Sequence, residues 1–267
     1  MLTQPCAKIN LGLYVTERRP DGYHNLQTIF YPIPLRDRLE VEEAAEDRLE
    51  ISGIPVAGDS KDNLVMRVVS LLRSQGYPIP PIAIRLQKNI PSGAGLGGGS
   101  SDAAHMMSML NEMFQLGLTC GQMEDMVSTL GADCAFFIQS KPVLAEGIGN
   151  LFTPVDLSRL SGYYLVLIKP DVFVSTREAY AQVTPQQPSV PLKELIQHDI
   201  TQWKGTIVND FEQSVFPTHP VIASIKEQLY HAGAVYASMS GSGSSVFGLF
   251  HEPVDIVTPH FLFTARL

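Results

Sequence analysis

The chain is poor in charged residues. Only 17% of its 267 residues are Asp, Glu, Lys or Arg, below the roughly 25% that is usual in soluble proteins. Lysine and arginine (19) are outnumbered by aspartate and glutamate (27), which gives a net charge of −8. A basic surface for nucleic acid or for an anionic membrane is therefore not expected. The hydrophobic share of 45% is enough for a sizeable core, which excludes global disorder.

Cysteine is scarce as well. The three cysteines (Cys6, Cys120 and Cys134) cannot all pair with one another, and no C-x-x-C spacing occurs. The seven histidines form no H-x-x-x-H pattern and no cluster with the cysteines, so we expect no zinc site. Free thiols of this kind are typical of a protein in a reducing cytoplasm.

Long hydrophobic segments are also missing. The longest apolar run, residues 163–168, is much shorter than the roughly 18 residues that a transmembrane helix needs. The first residues, MLTQPCAKIN, show neither the basic and then apolar pattern of a secretory signal nor the Arg- and Ser-rich composition of a transit peptide. We therefore expect a cytoplasmic protein without a membrane partner.

The pattern of hydrophobic residues predicts a mixture of strands and helices. We predict strands at residues 7–15, 26–35, 82–90, 163–168, 234–239 and 245–250, and helices at residues 63–75, 103–114, 192–197 and 221–232. Because strict β-α-β alternation is lacking, the predicted fold class is α+β rather than a doubly wound sheet. A polar segment after Pro154 predicts a boundary between two lobes, residues 1–155 and residues 156–267.

Glycine has an average frequency but an uneven distribution. Five of the 21 glycines lie in residues 93–99, within NIPSGAGLGGGSSDAA, directly between a predicted strand and a predicted helix. Glycine lets the backbone approach a ligand closely, and a helix start offers unpaired N–H groups and the positive end of a dipole. We interpret the segment as a phosphate-binding loop rather than a mobile loop, with the helix capped by Ser100, Ser101 or Asp102.

Several known phosphate loops do not fit this segment. A Walker A loop needs a lysine after its last glycine, and none stands there. Residues 93–98 match the G-x-G-x-x-G pattern of dinucleotide-binding proteins, but the acidic residue at the required distance, Glu112, falls inside the predicted helix. The H-R-D and D-F-G strings of protein kinases do not occur.

Two further segments make the pattern selective. PCAKINLGLYV near the N-terminus places Lys8 and Asn10 on one face of a strand, and ASMSGSGSSVFGLF near the C-terminus is a turn of small residues between two strands. In this order, with the glycine-rich segment between them, they resemble the three motifs of the GHMP small-molecule kinase superfamily. RPDGYHNLQTIF and GADCAFF narrow the resemblance to the branch that acts on a cytidyl-diphosphate methylerythritol. The similarity extends from about residue 6 to residue 250.

The resemblance implies a two-lobed GHMP-kinase fold, with an N-terminal ribosomal-protein-S5-domain-2-like lobe and a C-terminal ferredoxin-like α/β sandwich lobe. It also implies ATP-dependent phosphorylation of the 2-hydroxyl of the cytidyl-diphosphate methylerythritol, in the non-mevalonate isoprenoid pathway, with Mg²⁺. Two alternatives stay open: another kinase of the superfamily, acting on homoserine, mevalonate or a sugar, and a catalytically silent binding module. We expect a small-molecule substrate, no nucleic-acid partner, and a monomer or weak homodimer.

Asp133 and Lys8 are the candidate catalytic residues. Asp133 is the acid within the small and apolar residues 130–138, where an acid either caps a helix or takes part in chemistry. The resemblance implies that it is the general base. A lysine at a strand edge often extends to water, but the resemblance implies that Lys8 stabilises the acceptor oxygen. The family commonly has Val-Pro after its catalytic aspartate, whereas Cys134 and Ala135 follow it here.

The glycine-rich segment supplies the candidate residues for ATP. We expect its backbone N–H groups to surround the phosphates, with these residues taking part: Pro91, Ser92, Gly93, Ala94, Gly95, Leu96, Gly97, Gly98, Gly99, Ser100 and Ser101. Ser100 or Ser101 is the candidate Mg²⁺ ligand, and the residues leave open which of the two it is. The resemblance places Lys88 and Asn63 at the adenine.

The acceptor site is expected near the D-G-Y-H turn. Tyr23 and His24 lie side by side there, and an aromatic ring beside an imidazole can stack on a pyrimidine and hydrogen-bond its edge. Such a pair also occurs on ordinary solvated turns. The resemblance adds Tyr180 at the cytosine and Asn10 at the methylerythritol part of the substrate.

Overall fold

The computed structural model of the protein describes residues 1–56 and 58–267. The strands of this described part are β1 (Leu2–Thr3), β2 (Cys6–Arg18), β3 (His24–Arg36), β4 (Arg38–Glu43), β5 (Arg48–Gly53), β6 (Ile82–Lys88), β7 (Val143–Glu146), β8 (Leu151–Pro154), β9 (Tyr164–Lys169), β10 (Tyr236–Met239), β11 (Val246–Phe250) and β12 (Phe261–Arg266). Its α-helices are α1 (Leu64–Ser74), α2 (Gly98–Met113), α3 (Cys120–Ser128), α4 (Phe136–Gln139), α5 (Thr176–Tyr180), α6 (Leu192–Leu195), α7 (Glu212–Thr218) and α8 (Pro220–His231). The predicted α+β class is confirmed, and none of these helices is long and apolar enough to cross a membrane.

The chain forms two compact units that interleave along the sequence. The first unit consists of Met1–Ala7, Leu35–Ser92 and Gly97–Lys141, and the second of Lys8–Pro34, Gly93–Leu96 and Pro142–Leu267. The glycine-rich segment contributes to both units. The two units do not coincide with the two lobes expected at residues 1–155 and residues 156–267. That division into lobes stays a prediction.

The first unit packs helices against a four-stranded sheet with the order β1-β4-β6-β5, in which only the pairing of β5 with β6 is parallel. The alternation in IAIRLQK puts Ile84 and Leu86 of β6 in the core and leaves Arg85 exposed. Helix α1 begins where predicted, because the Asn63 side chain accepts a hydrogen bond from the Val65 N–H at 3.1 Å. The buried faces of α1 and α2 complete this core.

The second unit contains two four-stranded sheets, with the orders β2-β3-β7-β8 and β10-β11-β9-β12. Strands β9 and β11 are buried along most of their length, as their continuous apolar sequences predict. The core of the unit joins residues of β2 and β9 to the apolar faces of α7 and α8. From β2 this core takes Leu13 and Val15, and the same strand carries Lys8 and Asn10.

A buried cluster of one lysine and two carboxylates lies at the C-terminal end of β6. Lys88, which is 3% exposed, donates a hydrogen bond to Asp37 and another to Asp102 at 2.6 Å. The second oxygen of Asp37 accepts from the backbone N–H groups of Asn89 (2.6 Å) and Ile90 (2.9 Å). The cluster therefore ties the end of β6 to α2, and these elements flank the glycine-rich segment on its two sides.

The Lys88 cluster contains two carboxyl groups and one ammonium group. Burial raises the pKa of Asp102 to about 7, and the nearby Asp37 carboxylate adds to this effect while Lys88 opposes it. Among the described residues, the Oδ1 atom of Asp102 has no hydrogen-bond partner. Lys88 is thus the group that makes the burial of two neighbouring carboxylates possible.

We predict that Lys88→Met destabilises the first unit by about 3–5 kcal/mol, because removal of one partner leaves buried charge uncompensated. The free energy of unfolding in urea measures the effect. Arg85→Met, on the same strand, is the matched control: Arg85 is about half exposed and pairs with Glu40, Glu42 and Glu50 at the surface, so its loss is expected to cost less than about 1 kcal/mol. Equal effects of the two substitutions would contradict the role given to Lys88.

Candidate active site

The second half of the glycine-rich segment forms the start of α2. The helix begins at Gly98 with Gly97 as its N-cap, and no side chain of the described residues caps it. The predicted capping by Ser100, Ser101 or Asp102 is therefore wrong, because the helix starts before these residues and includes them in its first two turns. The N–H groups at the start of this sixteen-residue helix are left available for an anion.

The first half of the glycine-rich segment is held within the second unit. Gly95 has a φ of +76°, and a Cβ atom added to it would lie 1.9 Å from the carbonyl oxygen of Ser240. Only glycine fits this position. The backbone N–H of Lys8 donates to the Leu96 carbonyl at 3.0 Å, and the Lys8 ammonium donates to the Gly95 carbonyl at 3.0 Å. Parts of all three sequence motifs thus meet at Gly95.

Lys8 is a buried residue, 3% exposed, so the interpretation of a side chain that extends to water is wrong. Its ammonium donates to Asn10 Oδ1 at 2.7 Å, which confirms that the two residues share a face of β2. The ammonium also lies 5.0 Å from the centroid of the Phe30 ring, a cation–π contact. Asn10 itself is buried, and its Nδ2 donates to Thr28 Oγ1 at 2.8 Å.

A cavity of about 430 Å³ lies in the first unit, beside the start of α2. It is lined by both residues predicted for adenine, Asn63 and Lys88, together with Ser92, Gly99 and Asp102. The structure thus brings together residues from four separate segments. Sequence reasoning missed the apolar wall formed by Leu49 and Ile51 of β5. The available signal was the alternation of Leu49 and Ile51 with polar residues in RLEISG, the segment that pairs with β6.

Asp133 lies in a turn of the first unit and is half-buried. The helix that follows, α4, has Ala135 at its N-cap, so Asp133 is not the capping residue that the sequence alone also suggested. Its neighbour Cys134 is buried, and this burial raises the pKa of the thiol to about 11. Cys134 is therefore an unreactive packing residue in this turn.

The two candidate Mg²⁺ ligands differ in their surroundings. Ser101 is completely buried, and its Oγ lies 3.5 Å from Nδ1 of His105. Ser100 is only half-buried. Its hydroxyl lies close to Gly131, next to the turn of Cys134: a Cβ atom added to Gly131 would lie 3.7 Å from it. Within the described ranges, no group of three or more His, Cys, Asp or Glu side chains is arranged to hold a metal ion.

The residues predicted for the acceptor are partly brought together in the second unit. The rings of His24 and Tyr180 stack with their centroids 4.7 Å apart and their planes at 21°. Tyr180 also meets Phe211 edge-on at 4.7 Å, an aromatic partner that the sequence did not point to. Tyr23 is 64% exposed at the turn between β2 and β3. As the rings stand, no base fits between His24 and Tyr180.

Comparisons with known proteins give the family. The model for the GHMP kinases N terminal domain matches residues 63–141, and the GHMP kinases C terminal model matches residues 192–257. A 4-diphosphocytidyl-2-C-methyl-D-erythritol kinase of Bacteroides fragilis is 58% identical over 97% of this chain and 94% of its own length. A kinase of the same name from Bacteroides thetaiotaomicron is 55% identical over the whole of both chains.

A solved structure agrees with these relatives. The crystal structure of a 4-(cytidine 5'-diphospho)-2C-methyl-D-erythritol kinase matches with a TM-score of 0.78 and 34% identity, covering 93% of this chain and 90% of that one. The predicted GHMP-kinase fold is thereby confirmed. The chain therefore belongs to the family of 4-diphosphocytidyl-2-C-methyl-D-erythritol kinases, which are ATP-dependent small-molecule kinases of the GHMP superfamily.

Proposed function

We propose that the protein transfers the γ-phosphoryl group of ATP to the 2-hydroxyl of 4-diphosphocytidyl-2-C-methyl-D-erythritol and releases the 2-phosphate and ADP, in the non-mevalonate isoprenoid pathway. The observation that carries the proposal is the 58% identity with a relative of that name over 97% of the chain. The cytoplasmic location and the monomeric or weakly dimeric state expected from the sequence stay predictions.

The nucleotide is assigned to the glycine-rich segment and the cavity beside α2. The uncapped start of α2 and the close-packed backbone at Gly95 suit phosphate groups, which take hydrogen bonds from backbone N–H groups. The cavity suits a purine, because it combines the apolar wall of β5 with polar groups. Asn63 is held in place there by its capping bond to α1. The Lys88 ammonium already donates to two carboxylates. We therefore assign to Lys88 a role in shaping the wall of the cavity, and not a contact of its ammonium group with adenine.

The chemistry is assigned to Asp133 and Lys8. In the proposed step, the Asp133 carboxylate takes the proton of the acceptor hydroxyl, the hydroxyl oxygen forms a bond to the γ-phosphorus, and the bond to the bridging oxygen breaks to release ADP. Lys8 stabilises the negative charge that develops on the acceptor oxygen. The departure from Val-Pro after Asp133 leaves the carboxylate itself unchanged.

Mg²⁺ fits this assignment through oxygen ligands. The ion prefers oxygen, and in kinases the nucleotide phosphates provide much of its coordination. We assign the protein ligand to Ser100, because the Ser101 hydroxyl is buried against His105. When bound, Mg²⁺ would offset the charge on the transferred phosphates.

The cytidine part of the acceptor is assigned to the turn of Tyr23 and to the stacked pair of His24 and Tyr180. The base either stacks on the outer face of this pair or separates the two rings, because their 4.7 Å spacing excludes insertion without movement. The exposed Tyr23 ring is placed to contribute a second surface on which the base can stack. The predicted contact of Asn10 with the methylerythritol stays a prediction.

A panel of acceptors tests the proposal directly. With purified protein, ATP and Mg²⁺, coupled detection of ADP is expected to show turnover with the cytidyl-diphosphate substrate and background rates with homoserine, mevalonate and galactose. The specificity is expected from the rings of Tyr23, His24 and Tyr180, on which a nucleobase can stack and the aliphatic acceptors cannot. Turnover of homoserine or mevalonate without turnover of the cytidyl substrate would favour another GHMP kinase. No turnover with any acceptor would favour a binding module.

Asp133→Asn and Lys8→Met are expected to lower kcat by roughly 10²–10⁴-fold, because each removes a group that acts in the transition state. Binding of ATP, followed by calorimetric titration, is expected to change little. Lys141→Met, an exposed lysine beyond the catalytic turn, serves as a control and is expected to keep full activity. Near-normal turnover in either test variant would remove that residue from the mechanism.

Gly95→Ala is expected to weaken ATP binding by more than roughly tenfold, because a Cβ atom would meet the Ser240 carbonyl at 1.9 Å and the φ of +76° would be strained. Titration with ATP measures the affinity. Gly121→Ala is the matched control, since its Cβ atom would meet nothing within 4 Å in the first turn of α3. Unchanged affinity in a folded Gly95→Ala protein would contradict the phosphate-loop assignment.

A further inference from the structure

A chain of buried hydrogen bonds lies behind Lys8 in the second unit. Thr28 Oγ1 donates to the Gly12 carbonyl at 2.6 Å, Asn10 Nδ2 donates to Thr28 Oγ1 at 2.8 Å, and the Lys8 ammonium donates to Asn10 Oδ1 at 2.7 Å. Thr28 is 1% exposed and Asn10 2%, so water does not compete for these groups.

The direction of each bond in this chain is fixed by chemistry. A carbonyl oxygen only accepts, so the single hydroxyl hydrogen of Thr28 is committed to Gly12, and its oxygen faces Asn10 as an acceptor. The end of the Asn10 amide that faces Thr28 must therefore be Nδ2. This leaves Oδ1, the acceptor end, facing the Lys8 ammonium, which can only donate, so Thr28 and Lys8 require the same orientation of the amide.

The first bond of the chain ends at an irregular position of the β2 backbone. Gly12 lies inside β2 with a φ of +72°, and an added Cβ atom would lie 2.8 Å from Cγ2 of Ile207. The left-handed conformation is a local irregularity of the strand that only glycine fits here. It is at this residue that the carbonyl accepts from the Thr28 side chain of the neighbouring strand β3.

A second support reaches Lys8 from the Ser240 turn. The Ser240 hydroxyl donates to the Gly95 carbonyl at 2.9 Å, the same oxygen that accepts from the Lys8 ammonium at 3.0 Å. The backbone N–H of Asn10 donates to Ser240 Oγ at 3.3 Å. Two acceptors of the ammonium, Asn10 Oδ1 and the Gly95 carbonyl, are therefore each fixed by a buried hydroxyl group.

We propose that Thr28 is a positioning residue for phosphoryl transfer: its hydroxyl group orients the Asn10 amide, and this amide in turn holds the Lys8 ammonium at its place next to the glycine-rich segment. The inference rests on the proposed function, in which Lys8 acts on the acceptor oxygen. Without the hydroxyl, Asn10 Nδ2 is left as a buried donor without an acceptor, so the side chain turns away and Oδ1 leaves Lys8.

Thr28→Val tests this role, because valine keeps the shape and removes the hydroxyl group. We expect kcat to fall by roughly 10- to 100-fold, as for a displaced catalytic group, with KM for ATP and for the acceptor within about threefold of wild type. Thr28→Ser keeps the hydroxyl and is expected to retain kcat within about threefold. Rates are counted per ATP-binding site, so that loss of folded protein does not lower the measured kcat. Should Thr28→Val not fold, Thr28→Ala provides the same comparison.

Lys8→Met, assayed in parallel, separates this inference from the proposed function. Full activity of Lys8→Met would overturn the role of Lys8, and the inference with it. An inactive Lys8→Met together with normal kcat in Thr28→Val would overturn the inference alone. Equal losses in Thr28→Val and Thr28→Ser, or a loss confined to KM, would also overturn it, because side-chain packing and not the hydroxyl group would then be responsible.

Discussion

The contact between Lys88 and the carboxylates of Asp37 and Asp102 is the interaction on which the first unit depends most. Three ionisable side chains are removed from water there, and such burial is tolerated only when the charges satisfy one another. The cluster joins residues that are 51 and 14 positions from Lys88. Because the cluster fixes the end of β6 and the first turns of α2, both ends of the backbone that connects these elements are held in place.

The sequence predicts best those helices and strands whose sequence patterns lie within the element itself. Asn63 caps α1 with its own side chain, and the alternation of IAIRLQK defines β6. The start of α2 was missed by five residues, because glycine normally disfavours a helix interior. Gly98 is buried, and a Cβ atom added to it would lie 2.8 Å from Ile90, a close contact that the sequence does not display. The partners of Lys88 and the apolar wall of β5 depend on contacts across the sheet. No periodicity in one segment reveals them.

The net charge of −8 at first argues against anionic ligands, yet the proposed substrates are polyanions. The two observations are compatible because attraction at short range is set by local groups rather than by the total. Backbone N–H groups at the uncapped start of α2 present partial positive charge without any basic side chain. A count of lysine and arginine does not reveal this contribution. The position of five glycines in residues 93–99 does indicate it.

Lys8 and Lys88 show how the same residue type, equally buried, serves two purposes. The partners of Lys88 are carboxylates, so its charge is matched within the cluster and is used to hold the fold. The groups that hold Lys8 in the second unit include an amide oxygen, a backbone carbonyl and an aromatic ring. Such neutral groups stabilise an ammonium without cancelling its charge. Such contacts hold the ammonium at one place, and a fixed position is what a lysine requires if it is to stabilise negative charge that develops on a substrate oxygen.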